Sequence, residues 1–182
     1  MAHTQLISFS EEAMLILWKR CLGLVHERIN GEIVRADDDV WDELILPKMR
    51  AWYDNLLTTA SPDLLPTENL APELTLKFHL RGSASVALPD RYVRPVEWQL
   101  DAWRHPVRNF REPEDLVAVM QSNDFLMAGT WFPVVVEAHS RMLLYPALPN
   151  DVLEYAECVV RPANGMYVLA PQLLNTIPSS LD

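Results

Sequence analysis

A chain of 182 residues, 49% of them apolar, is long enough for one domain or two small ones around a real core. Its 25 acidic against 15 basic side chains, a net charge of −10, argue against a nucleic-acid binder held by phosphate contacts and against a polybasic membrane-surface protein. Cys21 and Cys158 lie far apart inside apolar patterns, which predicts two buried free thiols in a reducing compartment rather than a disulfide.

The opening MAHTQLISFSEE has no basic region before an apolar run, so no signal peptide is expected, and the apolar residues 13–18 are too few to span a bilayer. Ser8 and Glu11 fit a capping box, with a helix expected from there to Asn30-Gly31, a left-handed stop. Its apolar positions wrap widely (Met14 to Trp18, then Cys21, Leu22, Leu24, Val25), so more than one side should be covered. Asp37-Asp38-Asp39 could suggest a metal site. The plainer reading is that these acids cap and charge the start of a second helix over residues 40–58. That helix carries Trp41, Leu44, Ile45, Met49, Trp52 and Leu56 on one face, and Pro47 should kink or split it.

Residues 61–73 hold three prolines without a period and read as a linker or an extended crossing. Residues 74–80 alternate, Leu74, Leu76, Phe78 and Leu80 against Lys77 and His79, and Arg81-Gly82-Ser83 turns the chain toward a hairpin. The clearest strand follows the turn Leu88-Pro89-Asp90: Val96, Trp98, Leu100 and Ala102 on one face, Glu97, Gln99 and Asp101 on the other. Pro95 cannot donate to a ladder, so an edge or a bulge is expected there. A short helix should begin at Glu112-Pro113-Glu114-Asp115 and run to Gln121. Strands are predicted over 134–138, 142–145 and 152–160, the last lying centrally because its end is apolar on both sides. Asn164-Gly165 turns, and residues 171–177 form a short helix or extended tail. The fold class expected is α+β, an N-terminal helical hairpin (1–60) packed with a small, mainly antiparallel β domain (74–165). The proline-rich linker (61–73) joins them, and a C-terminal helix or tail (166–182) closes the chain.

Chemistry is sparse. His3, His26, His79, His105 and His139 have no metal-ligand spacing, and there is no phosphate-cradling glycine loop and no nucleophile elbow. Carboxylates cluster at Glu112, Glu114 and Asp115, and at Glu154 and Glu157, without partners that would tune them for catalysis. No catalytic, cofactor-binding or metal residue is therefore assigned, and no enzymatic activity is expected. The six tryptophans stand out. Core packing is the default for each, while Trp103 and Trp131, at strand ends beside prolines, are candidates for a contact between subunits. Leu173, Leu174 and Ile177 in the closing segment are further interface candidates.

A spaced set in the second half carries a resemblance: Leu88-Pro89-Asp90-Arg91-Tyr92-Val93-Arg94, Trp103-Arg104-His105-Pro106-Val107, Gln121, Gly129-Thr130 with Pro133-Val134, and Leu144-Tyr145-Pro146. In order and spacing it resembles the head-to-tail connector (neck adaptor) proteins of short-tailed bacteriophages of gut Bacteroidota, the crAss-like group among them. The resemblance covers roughly residues 88–160. It implies a non-enzymatic virion protein, assembled in the host cytoplasm, that forms a homo-oligomeric ring, commonly twelve-fold, beneath the portal. Such a ring extends the channel through which genomic DNA passes without sequence-specific binding, and it docks tail or nozzle proteins without touching a membrane. In place of the alanine-rich closing helix of that family, Val160-Arg161-Pro162 leads here into a proline-broken tail. The competing expectations are a non-enzymatic bacterial adaptor or binding domain acting through protein contacts, and an enzyme built on Asp37–Asp39 or the scattered histidines.

Overall fold

The computed structural model describes residues 5–24, 38–123 and 125–180. In chain order the elements are β1 (Ile7–Phe9), α1 (Glu11–Cys21) and α2 (Asp38–Thr59), then β2 (Thr67–Asn69), β3 (Leu76–His79), β4 (Ser83–Ala87) and β5 (Tyr92–Leu100). After α3 (Leu116–Met120) come β6 (Val134–Ala138), β7 (Arg141–Tyr145), β8 (Leu153–Val160) and β9 (Tyr167–Leu169). The fold is α+β, with antiparallel sheets throughout. The chain forms two compact units: Met1–Pro66 with Arg161–Asp182, and Thr67–Val160.

The first unit pairs the two helices with the short β1–β9 ribbon. The α1 cap is Ser10 rather than Ser8: the Ser10 hydroxyl accepts from the Ala13 amide at 3.2 Å. Ser8 is taken up by β1, where it lies opposite Val168. Glu11 reaches not back to a cap amide but across to Arg50 on α2, in a two-pronged ion pair at 2.7 and 2.8 Å. The helix ends at Cys21, nine residues short of the expected stop, with Gly23 in the left-handed region at φ +70°; Asn30-Gly31 lies outside the described residues. Asp37 and the side chains of Asp38 and Asp39 lie outside them as well. Pro47 does not split α2. The proline itself is exposed, while Ile45, Met49, Tyr53, Leu56 and Leu57 bury one face on either side of it and hold both halves to the same packing surface. Trp18 meets Trp52 edge-on, ring centres 5.8 Å apart.

The closing segment is not a free tail. β9 joins β1, and a 3-10 turn over Pro171–Thr176 buries Leu173 and, just after it, Ile177. The Ala170 amide donates to the Leu64 carbonyl at 2.9 Å, and the Trp52 indole donates to Thr176 Oγ1 at 3.1 Å.

The second unit stacks two sheets, β2-β8-β5 and β3-β4-β7-β6. Their inner faces share one core: Ala84, Val86, Val135, Met142 and Leu144 from one, Trp98, Leu100, Ala156, Cys158 and Val160 from the other. The predicted centre strand is indeed β8, with β2 and β5 on either side. β5 starts earlier than the alternation suggested and is bulged on both sides of Pro95, where the ladder shifts register. β4 hairpins with β3, as expected, but β5 leaves that sheet to pair with β8. The stretch read as a linker contributes β2, and Asn69 locks it: its side-chain oxygen accepts from the Ala71 and Ala156 amides at 3.1 and 3.0 Å. The helix expected from Glu112 to Gln121 is shorter: α3 starts only at Leu116, because Asp115 caps it, its carboxylate accepting from the Val117 amide at 2.9 Å.

Candidate interaction surface

The antiparallel registers bring four connections to one end of the second unit: the β3–β4 turn at Leu80–Gly82, the segment after β5, the segment before β6, and the segment between β7 and β8. The chain enters this unit at Thr67 and leaves it at Val160, neighbours of the β5 start at the opposite end, where the β4–β5 and β6–β7 turns also lie. Both left-handed residues of the first turn, Arg81 (φ +70°) and Gly82 (φ +66°), are needed to reverse the chain so tightly.

Backbone and side-chain bonds tie these connections into one surface. The Ala147 amide donates to the Gly82 carbonyl at 2.8 Å, the Arg104 amide to the Thr130 carbonyl at 2.9 Å, and the Asp101 amide to the Val152 carbonyl at 3.0 Å. Trp103 donates its indole N–H to the Pro146 carbonyl at 2.8 Å. Gln121, buried, spans the longest connection: its amide nitrogen donates to the Val117 carbonyl at 2.7 Å and its oxygen accepts from the Ala128 amide at 2.8 Å.

What this scaffold presents to solvent is apolar. Phe125 is 96% exposed, Leu80 92%, Phe132 83%, Trp131 60%, Leu148 57% and Leu126 55%. At about 150–250 Å² per aromatic side chain and somewhat less per leucine, these six leave on the order of 900 Å² in water. Arg104 lies over the Trp131 ring, its guanidinium carbon 5.6 Å from the centroid, and His105 flanks the same ring at 6.2 Å. Asp101 and Asp151 complete the polar rim, their carboxylates accepting from the Val152 and Leu148 amides.

Of the five residues singled out from sequence, Trp131 stands on this surface. Trp103 lies beneath it, buried in the core and bonded to Pro146. Leu173 and Ile177 are buried in the first unit and Leu174 is half-buried there. Leu80, Phe125, Phe132 and Leu148 were missed. The available signal was apolar residues, two of them in the pairs Phe125-Leu126 and Trp131-Phe132, on stretches with no helical or strand period to bury them.

Elsewhere polar side chains pair with one another inside the second unit. His79 Nε2 and Ser85 Oγ are 2.7 Å apart across the β3–β4 pair. Glu157 takes hydrogen bonds from Thr67 at 2.8 Å and from Tyr155. Tyr92 donates to Glu137 at 2.8 Å, and burial raises its phenol well above the usual tyrosine range. Burial likewise pushes the Cys158 thiol up to about 12, whereas Cys21 is exposed, contrary to the expectation of two buried thiols. Cys21 shares the Met14–Trp18 face of α1 but is its last residue, and it stays exposed where the helix stops. Among the described residues, no three His, Cys, Asp or Glu side chains are placed to hold a metal ion, and no helix is long and apolar enough to cross a membrane. No protein-family model matches the chain, and neither a curated protein nor a solved structure shows a significant likeness to it.

Proposed function

We propose that this protein is a structural subunit of a virion neck, a head-to-tail connector that works through protein contacts and carries no catalysis of its own. One observation carries the reading. Part of the spaced set on which the resemblance rests binds the apolar loop end together: Trp103 with Pro146, Arg104 with Thr130, and Gln121, which reaches across to Ala128. A motif set that builds a contact surface rather than a pocket suits an assembly protein. In this reading the subunits form a ring beneath the portal, the loop end meets neighbouring proteins, and the acidic surface lets DNA pass without holding its phosphates.

The test is assembly with a candidate portal protein from the same genome. Native mass spectrometry of the two together should give a complex with many copies of this chain per portal, near twelve, and proteomics of purified particles should find the chain in the virion. A chain absent from particles and indifferent to the portal refutes the reading and leaves an adaptor domain acting through the same surface.

A further inference from the structure

We infer that the open edge of β3 binds an extended segment of a partner protein whose residues alternate apolar and acidic, adding it to the sheet as one more antiparallel strand. The inference does not rest on the connector reading, and it concerns a strand edge rather than the loop end.

The backbone makes the edge. β3 stands first in the order β3-β4-β7-β6 and pairs only with β4. On the β7 side of β4, the Gly82 carbonyl accepts from the Ala147 amide and the Leu88 amide donates to the Ser140 carbonyl. Successive residues of a strand turn their polar groups to opposite sides, so Ser83 and Ser85 face β3 and bond to His79 and Lys77, which lie opposite them. Leu76 and Phe78 therefore point their N–H and C=O groups away from the sheet, and no backbone bond from another described segment reaches them. The edge strands β6 and β5 differ: Arg111 bonds along β6, and Val107 exchanges bonds with Trp98 of β5. Among the described residues no segment covers β3 in this way.

Side chains select the occupant. Leu76 and Phe78 pack half-buried against the core, so Lys77 and His79 stand on the outer face, both exposed. The other charged residues on the four strands are Arg141 and Glu137. Arg141 alternates with buried Met142 and shares the outer face. Glu137 lies opposite Met142 on the inner face, where Tyr92 donates to it. The strands thus present Lys77, His79 and Arg141 outward and no carboxylate. From Leu74 to Pro89 the sequence holds no acid, and its bases are Lys77, His79 and Arg81. Glu68 and Glu73, earlier in the chain, are held by Arg91, while Glu112, Glu114 and Asp115 lead into α3 beside β6, the opposite edge. A second copy laid along β3 would bring Lys77 and His79 against their own counterparts, which like charge disfavours. A strand with acids beside Lys77 and His79 and apolar groups beside Leu76 and Phe78 complements both faces.

The peptide acetyl-Val-Glu-Val-Glu-Val-amide and its lysine counterpart test this on the full chain. The glutamate peptide should bind at least about 10-fold tighter than the lysine peptide. Lys77→Glu should invert that preference with an unchanged circular dichroism spectrum, since the side chain stands in solvent. An antiparallel partner exchanges bonds through residues whose side chains share the Leu76 and Phe78 face. N-methylation of the valine amides should therefore abolish binding, while N-methylation of the glutamate amides, which point to solvent, should spare it. Hydrogen exchange at the Leu76 and Phe78 amides should slow on binding, with Lys77 and His79, already in the β4 ladder, unchanged. No binding of the glutamate peptide up to about 1 mM, equal binding of the two peptides, or indifference to valine methylation each overturns the inference. Leu76 and Phe78 amides already protected in the chain alone would mean that a second copy holds the edge, and overturn it too. None of these readouts involves the portal, so the connector reading stands or falls separately.

Discussion

Tyr53→Phe removes one oxygen and should destabilise the first unit far more than a surface hydroxyl would. Tyr53 Oη donates to the Val168 carbonyl and accepts from the Val168 amide, both at 2.9 Å, so one phenol satisfies both polar groups of a single residue on the outer edge of β9. The ring is buried and packs against Tyr167 with centres 4.8 Å apart, contacts that phenylalanine keeps. Two net hydrogen bonds are worth about 1 kcal/mol each, and the stranded amide and carbonyl are only half-buried and regain some water, so the cost is about 2 kcal/mol. With a urea dependence of about 2 kcal/mol/M, the midpoint should fall by about 1 M. Circular dichroism at 222 nm follows it, because α1 and α2 supply most of the helix. The loss should also depend on alkali in a defined direction. Burial pushes the Tyr53 phenol up to about 12 from the usual 10.0. A group whose folded value is raised contributes fully below the unfolded value and is lost as pH climbs toward the folded one. The gap between wild type and variant should therefore hold below about pH 10 and close between about 10 and 12. A midpoint shift under about 0.2 M would mean that Val168 is served by water and that the clasp is incidental.

Leu144→Ala in the shared sheet core should cost about 2–5 kcal/mol, since the side chain is fully buried between sheets; a loss under about 1 kcal/mol in urea melts followed by tryptophan fluorescence contradicts a close-packed core. An aromatic disulfide reagent should titrate one thiol, Cys21, in the native chain and reach Cys158 only on unfolding, because a thiol held near 12 supplies almost no thiolate; two thiols reacting together would rule this out. Glu11→Gln should lower the thermal midpoint at neutral pH but not in acid. The hydrogen-bonded Arg50 holds the Glu11 carboxyl below its usual value, so its contribution is present above about 4.5 and vanishes as pH falls through the depressed folded value. Equal melting of the two proteins at pH 7 would show that the ion pair contributes nothing.

Strong local signals survived folding. β8 was legible as the central strand because Cys158, Val159 and Val160 put apolar groups on both faces, and β5 because Trp98 and Leu100 alternate with polar neighbours. The β6–β7 hairpin was legible from its turn at His139-Ser140, where His139 takes φ +57°. What could not be read was long-range pairing. Three residues suffice for β1 and three for β9, too few to show a period, and each becomes a strand only because the other lies opposite. The Ser8 cap failed for the same reason: local chemistry favoured it, and a partner from the far end of the chain took the residue. The interaction surface was hidden by its own character. A buried side chain must follow the period of its helix or strand, whereas Phe125, Phe132 and Leu80 sit on connections that only the strand registers bring to one end of the unit.

The first unit is built from both ends of the sequence, with the second inserted between Pro66 and Arg161. That arrangement sets an order during translation. Once Val160 clears the ribosome, the second unit has every strand of its two sheets and can close its core. The helices, made long before, must wait: β1 lacks its mate, Tyr53 lacks Val168, and Trp52 lacks Thr176 until the final residues arrive. The nascent chain thus carries an unfinished helical pair with exposed apolar faces on the ribosome side of its history, while the loop surface is already formed. Chaperone dependence should concentrate in that interval, and truncation just before Tyr167 should leave the second unit folded and the first unable to close.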